Sequence, residues 1–198
     1  MDEAAKLIDF LHKSEKLQTL LRHSWLSSGR RESVAEHTWR MALMALIINP
    51  YLDQKLDLEK TLKIILVHDL VEINYQDHPA FKKPPIDKAE QERKSLLKLL
   101  KSLPRNLRQE IIDLWQEYED NKTLEAKFAK AMDKTEVLLQ HNEADLKFLT
   151  KKEIPFNMHH GDEYTGFDSF LKLFRDAVRK DTVKYYRKHK LDKKLYES

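Results

Sequence analysis

Hydrophobic residues recur at intervals of three or four along most of the chain, which is the spacing of amphipathic helices. The first stretch shows it clearly, with apolar residues from Leu7 to Leu21. A sustained alternation of apolar and polar residues, typical of strands, is absent from the sequence. The pattern therefore predicts an all-α fold, a single-domain helical bundle. Further helices are predicted over residues 34–49, 58–73, 88–102, 104–118, 124–149 and 168–189, and loops over 22–31, 74–86 and 152–166.

Capping residues support several of these boundaries. Ser33 and Glu36 are spaced as a capping box, in which the N-cap side chain and the third helical residue satisfy each other's backbone amides. Asp57 is a good N-cap for the helix that follows it. Pro50 ends one helix, and Pro104 suits the first turn of another. We expect one domain over residues 1–198, with a motif-bearing core at about 17–143 and a C-terminal helix at about 168–189.

Composition narrows the classes of function. The 198 residues include no cysteine, so neither a disulfide framework nor a thiolate zinc site can form. Three glycines are too few for the glycine-rich phosphate loops of nucleotide-binding folds. The net charge of +3 gives no reason to expect a nucleic-acid partner. No apolar run reaches the roughly 18 residues of a membrane span. The N-terminal residues lack the basic and then apolar stretches of a signal peptide. We expect a cytoplasmic protein without a membrane partner.

Three polar residues stand out within the apolar segment ILVHDLVEI, which spans residues 65–73. Burying His68, Asp69 and Glu72 among branched aliphatic side chains is costly unless they are paired or bind a metal ion. His68 and Glu72 are four residues apart and share one face of the predicted helix. Taken alone, the His-Asp pair fits a hydrogen-bonded structural pair as well as it fits a metal site.

Two more polar residues in apolar helices favour the metal site. His37 falls in the first turn of the helix that Ser33 caps, and Asp133 lies within the apolar segment FAKAMDKTEVLL. A buried aspartate needs a partner. With His68 and Asp69 they form a set of two imidazoles and two carboxylates, which suits Mn, Fe, Co, Ni or Zn and leaves coordination positions open.

The order His37, His68-Asp69, Asp133 resembles the H…HD…D signature of the HD-domain metal-dependent phosphohydrolases. The segments ESVAEHTWRMALMAL, HDLVE followed by Asp77, and LWQEYEDNKTLEAKFAKAMDKTEVLLQ are similar to the 5′-deoxynucleotidase branch of that superfamily. That branch includes the bacterial deoxyribonucleoside 5′-monophosphatase and its HD-domain-containing relatives. The resemblance covers roughly residues 17–143.

The resemblance implies an activity and a role for each matching residue. The reaction would be divalent-metal-dependent release of phosphate from (deoxy)nucleoside 5′-monophosphates. One divalent ion (Mn, Co, Ni, Fe, Zn or Mg) would be bound by the four signature residues. Glu72 would act as acid/base, and Asp77 would contact the sugar or complete the site. Arg22 would bind the phosphate, and Trp25 would pack near the sugar. The small-molecule nucleotide would be the main partner, and family members often form homodimers, so we expect one here.

The sequence departs from the family pattern at two substrate-facing places. His23 and Ser24 separate Arg22 from Trp25, which are adjacent in the bacterial enzyme. The segment after Asp77, residues 78–83, also differs from the usual one. Two alternatives stay open: hydrolysis of another nucleotide, either a triphosphate or an alarmone, and a nucleotide-sensing module without turnover.

Simpler interpretations apply to several of the residues considered. Arg22 could pair with Glu32 or Glu36 and have no role in binding. Four further histidines are expected on the surface or in loops: His78, His141, His159 and His160.

Overall fold

The computed structural model describes residues 2–74 and 88–196. The helices of this part of the chain are, in order, α1 (Glu3–Ser14), α2 (Lys16–Thr19), α3 (Val34–Ile48), α4 (Leu58–Val67), α5 (Lys88–Leu99), α6 (Arg105–Asp120), α7 (Leu124–Glu143), α8 (Glu153–His159), α9 (Asp162–Thr165) and α10 (Ser169–Lys188). Two short strands, β1 (Leu21–Trp25) and β2 (Arg31–Ser33), lie between α2 and α3. The all-α prediction is confirmed.

The main core lies where α3, α4 and α7 pack against one another. Met41, Ile64, Phe128 and Met132 are fully buried there. Helix α7 is central, since it packs against α3, α4, α6, α9 and α10. None of the helices in the described residues combines the length and apolar character needed to cross a membrane.

The predicted caps form as expected. The Ser33 hydroxyl accepts a hydrogen bond from the Glu36 amide, and the Glu36 carboxylate accepts from the Ser33 amide, which completes the capping box. Asp57 accepts from the amide of Lys60. The predicted C-terminal helix over 168–189 is α10, within one residue at each end. These boundaries were predictable because a cap is a local interaction.

The prediction of a loop over residues 22–31 is wrong in part. This segment contributes β1 and the start of β2, an antiparallel pair in which Leu21 is opposite Ser33 and Trp25 is opposite Arg31. The buried positions of the pair are Arg22, Ser24, Glu32 and Ser33. Because these inward-facing side chains are polar, the apolar alternation that reveals a half-buried strand is missing.

The predicted continuous helix over 58–73 is also wrong. Helix α4 ends at Val67, and a short 3-10 helix, Leu70–Ile73, follows. At the break, Asp69 has φ −101° and ψ 9°, near the bridge region of the backbone map. His68 Nδ1 donates to the Ile65 carbonyl at 2.7 Å, which occupies an acceptor of the last helical turn.

The C-terminal half differs from the prediction at two further places. Helix α7 ends at Glu143, six residues before the predicted end, and Ala144 is extended. The segment 152–166, predicted as a loop, contains α8 and α9, which are joined at Gly161 with φ +87°. Short helices such as these are held by tertiary packing, so their sequence signal is weak.

Candidate metal centre

Three helical segments bring the four signature residues together. His37 lies in the first turn of α3 and His68 is the C-cap of α4. Asp69 lies in the break that follows, and Asp133 is near the middle of α7. Because α3, α4 and α7 pack directly against one another, residues nearly 100 positions apart in the chain meet at one point.

The ligand atoms are close enough to share one ion. His37 Nε2 lies 3.3 Å from Asp133 Oδ1, and His68 Nε2 lies 3.1 Å from Asp69 Oδ2. One ligand atom each from His37, His68 and Asp69 fall within 4.8 Å of one another. Ligands 2.0–2.2 Å from a common divalent ion are separated by about 3 Å or slightly more, so these spacings fit a shared ion.

Both imidazoles are oriented by hydrogen bonds at their outer nitrogens. His37 Nδ1 lies 2.5 Å from Glu136 Oε2, and His68 Nδ1 donates to the Ile65 carbonyl. Each imidazole therefore directs Nε2 to the centre of the cluster. Metal-binding histidines in proteins show this arrangement, with the second ring nitrogen bound to a carboxylate or carbonyl.

The inner atoms are those that require a cation. Among the described residues, His37 Nε2, His68 Nε2 and Asp69 Oδ2 are buried and make no hydrogen bond of good geometry. Buried polar atoms are otherwise nearly always paired. A divalent ion bound by these three atoms and by Asp133 would satisfy all of them, and nitrogen and oxygen donors suit a divalent transition metal.

Electrostatics point the same way. Burial opposes ionisation of Asp69, but His68 and Arg22 outweigh it and lower the pKa of Asp69 to about 2. Asp133 is buried as well, yet Lys134 and His37 hold its pKa well below the usual range. Both carboxylates are therefore ionised and contribute two negative charges to the cluster.

The imidazole of His37 responds to that negative potential. Burial and the nearby Arg22 oppose its protonation, but Glu136 and Asp133 outweigh them and raise the pKa of His37 to about 10. The centre therefore attracts positive charge strongly, and a divalent ion would be held by the same carboxylates.

A cavity of about 260 Å³ opens onto this cluster. His68, Asp69 and Asp133 line it, together with Glu72 and Arg22. Glu72 lies in the 3-10 helix just after Asp69, so the break in α4 turns its carboxylate to the same cavity. A volume of this size accommodates a compact substrate.

Arg22 reaches the cluster from β1. Its Nη1 lies 3.5 Å from Asp69 Oδ2, and its Nε lies 3.2 Å from Glu32 Oε2. The pairing with Glu32 considered above is therefore present, and it orients the guanidinium without removing it from the cavity.

Comparison with known proteins identifies the family. A family model described as "HD domain" matches residues 14–173. The human protein "5′-deoxynucleotidase HDDC2" is 36% identical over 143 residues, which are 71% of this chain and 69% of the relative. The Schizosaccharomyces pombe "5′-deoxynucleotidase hdd1" is 33% identical over 161 residues, 77% of this chain and 79% of the relative. The chain belongs to the HD-domain family.

Solved structures with similar folds support the assignment to the HD-domain family. A "predicted metal-dependent phosphohydrolase" from Magnetospirillum magnetotacticum superposes with a TM-score of 0.78 at 30% identity, covering 92% of this chain and 94% of its own. The yeast HD domain-containing protein YGK1 shares the fold, with a TM-score of 0.60 at 22% identity. The resemblance inferred from the signature residues is therefore confirmed, and the HD-domain assignment implies a divalent metal.

Two predicted substrate residues are not placed at the HD site by the described structure. Trp25, half-buried on β1, stacks on Phe148 with ring centroids 4.0 Å apart and does not line the described cavity. Asp77 lies outside the described residues, as does His78. Their roles remain predictions from the family resemblance.

Several residues around the HD site were not recognised from the sequence. Glu136 supports His37, and the Tyr118 hydroxyl donates to Asp133 at 2.7 Å. The sequence carried a signal for Glu136, because it is a second acid on the apolar face of α7, three residues after Asp133.

The predicted placement of His141 on the surface or in a loop is wrong, since this residue is 2% exposed on α7. His160 is half-buried and lines the cavity, whereas His159 is exposed.

Proposed function

We propose that this HD-domain protein is a divalent-metal-dependent phosphomonoester hydrolase that releases phosphate from deoxynucleoside 5′-monophosphates. The observation that carries the proposal is the set of buried, hydrogen-bond-free ligand atoms on His37, His68 and Asp69 at a cavity that Glu72 and Arg22 also line. The names of the relatives, 5′-deoxynucleotidases in human and fission yeast, support the substrate class.

The residues divide the chemistry between them. His37, His68, Asp69 and Asp133 would hold the metal ion, which when bound polarises a phosphoryl oxygen and lowers the pKa of water. The guanidinium of Arg22 would neutralise phosphate charge with a planar, forked geometry that lysine does not reproduce.

Glu72 is positioned to move a proton. Its carboxylate faces the cavity beside Asp69, so it would accept the proton of the attacking water and donate one to the departing 5′-oxygen. Such transfer requires hydrogen-bond reach, directly or through one water. Asp77 and Trp25 keep the sugar-facing roles that the resemblance implies, as proposals.

A phosphate-release screen tests the proposal. Deoxy- and ribonucleotides, from mono- to triphosphate, would each be offered with Mn, Co, Mg, Ni and Zn in turn. We expect the highest rate with a deoxynucleoside 5′-monophosphate and no release after chelation. Faster release from a triphosphate or an alarmone would overturn the proposed monophosphate substrate but not the hydrolase activity. Tight nucleotide binding without release under any metal would instead identify a sensor and overturn the hydrolase.

We also propose a homodimer that associates through the outer face of α3 and α4. Large apolar side chains are exposed on this face, with Trp39 66% exposed; the others are Leu43, Leu46, Ile47 and Leu66. Contiguous apolar patches of this kind mark association surfaces. Light scattering should give twice the chain mass, and Ile47→Glu should shift it to one chain mass. A wild-type protein that elutes as a monomer at micromolar concentration would contradict the proposal.

The cytoplasmic location expected from the sequence stays a prediction. Fractionation of cells that express the tagged chain would test it.

A further inference from the structure

A second cluster of metal-ligating side chains lies outside the HD ligand set. It comprises His23 on β1, His141 on α7 and Glu153 at the start of α8. One ligand atom from each falls within 4.8 Å of the others. Glu153 Oε1 lies 3.4 Å from His23 Nε2 and 3.8 Å from His141 Nε2. His141 and Glu153 are buried, 2% and 3% exposed.

A chain of hydrogen bonds fixes which nitrogen of His141 carries the proton. The Tyr186 hydroxyl donates to the Ile154 carbonyl at 3.2 Å, so it accepts from Asn157 Nδ2 at 3.0 Å. The Asn157 amide is thereby oriented with Oδ1 towards His141 Nδ1, also at 3.0 Å. Since Oδ1 can only accept, His141 Nδ1 is the donor.

With its proton on Nδ1, a neutral imidazole of His141 presents the lone pair of Nε2 to the carboxylate of Glu153, 3.8 Å away. Two acceptors face each other in a buried site, and His141 Nε2 makes no hydrogen bond among the described residues. Such an arrangement is unfavourable unless a cation lies between them. Glu153 Oε1 is also paired with His23 Nε2 at 3.4 Å, and the other carboxylate oxygen accepts from the Thr150 amide at 2.6 Å.

We propose that His23, His141 and Glu153 bind a second divalent transition-metal ion, with Zn²⁺ as the first candidate. Two histidines and one glutamate form a known zinc ligand set, and tetrahedral ligands at about 2.0–2.1 Å are separated by about 3.3 Å. The observed separations of 3.4 and 3.8 Å need little adjustment to reach that value. Asn157 supplies the outer hydrogen bond that orients a metal-binding imidazole.

The position of the cluster separates it from the HD site and connects it to the cavity. His141 follows Asp133 by eight residues on α7, which is about 12 Å along the helix axis. His23 also lines the cavity of the HD site, so the cluster borders that cavity. An ion bound there would join β1 to α7 and α8 and so fix the strand that carries Arg22.

Metal stoichiometry tests the proposal without reference to activity. The full chain would be stripped with a chelator, dialysed against micromolar Zn²⁺, and its bound metal measured by mass spectrometry. We expect two equivalents for the wild type, and one for a variant that combines His68→Ala with Asp69→Ala. One equivalent is also expected for His141→Ala and for Glu153→Gln. The control His159→Ala removes an exposed histidine of α8 and should leave two equivalents.

Cobalt substitution distinguishes the two sites. In the His68→Ala/Asp69→Ala background, Co²⁺ should give visible absorption of a nitrogen- and oxygen-ligated site, and adding Glu153→Gln should remove it. Circular dichroism would verify folding, and Glu153→Gln, which preserves side-chain shape, decides the matter if His141→Ala does not fold. Equal metal content in the wild type and Glu153→Gln overturns the second site. If only the His68→Ala/Asp69→Ala variant loses metal, the assignment of the HD site stands and the second site is overturned.

Discussion

The two histidine–carboxylate clusters share a design and differ in what surrounds them. Each has an α7 residue among its candidate ligands, Asp133 in one and His141 in the other, and in each an imidazole is oriented by a hydrogen bond at Nδ1. In the HD cluster the partner of His37 is a buried glutamate, Glu136, whereas the partner of His141 is the neutral amide of Asn157. A carboxylate partner raises the basicity of the imidazole more than an amide does.

The surroundings decide what each cluster can do. The HD cluster has a carboxylate pair and opens to a cavity that is also lined by Glu72 and Arg22, the residues we propose for proton transfer and phosphate binding. The second cluster has one carboxylate, and Asn157 and the Tyr186 hydroxyl pack behind it. We therefore propose hydrolytic chemistry at the HD cluster and, at the second cluster, an ion that would hold β1, α7 and α8 together.

The largest effect should come from removing a ligand of the HD cluster. Asp69→Ala deletes one of its two carboxylates, so we expect phosphate release to fall by about 10⁴-fold or more, because metal-ion stabilisation is worth several kcal/mol. The Zn²⁺ at the second cluster should remain. Rates and metal content would be measured together, with the exposed Asp113→Ala as control. A wild-type rate in Asp69→Ala would refute the catalytic assignment.

Removing the proton-transfer group should have the next largest effect. Glu72→Gln keeps the shape of the side chain but removes its basicity, so kcat should fall by about 10²–10⁴-fold. Metal content should be unchanged at both clusters. Pre-steady-state phosphate release at saturating substrate would measure the change. An unaltered kcat would exclude Glu72 as the acid/base, and a loss of metal would reassign it as a ligand.

A smaller effect is expected from neutralising Glu136, the carboxylate that supports His37. Glu136→Gln weakens the support of His37, and metal affinity at the HD cluster should fall by about 10–100-fold. Competition with a chromophoric chelator would measure that affinity. Glu143→Gln is the matched control, because Glu143 also pairs with Arg40 but is exposed. Equal affinities in the two variants would show that an amide supports His37 as well as a carboxylate does.

The smallest effect is expected from removing a helix cap, which tests whether metal binding depends on the stability of α3. Ser33→Ala removes the cap of α3 and should lower the free energy of unfolding by about 1 kcal/mol, which corresponds to a Tm about 2–4 °C lower for a chain of this size. Both metal stoichiometries should persist, because the cap holds the helix and not the ion. Calorimetry would give the change in Tm. Loss of metal in Ser33→Ala would show that His37 depends on the cap for its position.

Much of the fold could be predicted because its determinants are local. The capping box of Ser33 and Glu36 and the N-cap Asp57 mark helix starts that the structure reproduces. The break after Val67 could not be read from the sequence, because the segment keeps its apolar pattern through Ile73 and the interruption occurs where His68 and Asp69 meet the other ligands. The two strands could not be predicted because their inward side chains are polar, so the alternation of apolar and polar residues is absent.

The sequence alone determined the helical class, the HD signature and the four candidate ligands, since unpaired charges within apolar helices are costly and need an explanation. Tertiary structure alone decided which other groups join them. Glu136 became a partner of His37 through the contact of α3 with α7. The meeting of His23, His141 and Glu153 depends on how β1, α7 and α8 pack, and no local spacing in the chain encodes that packing.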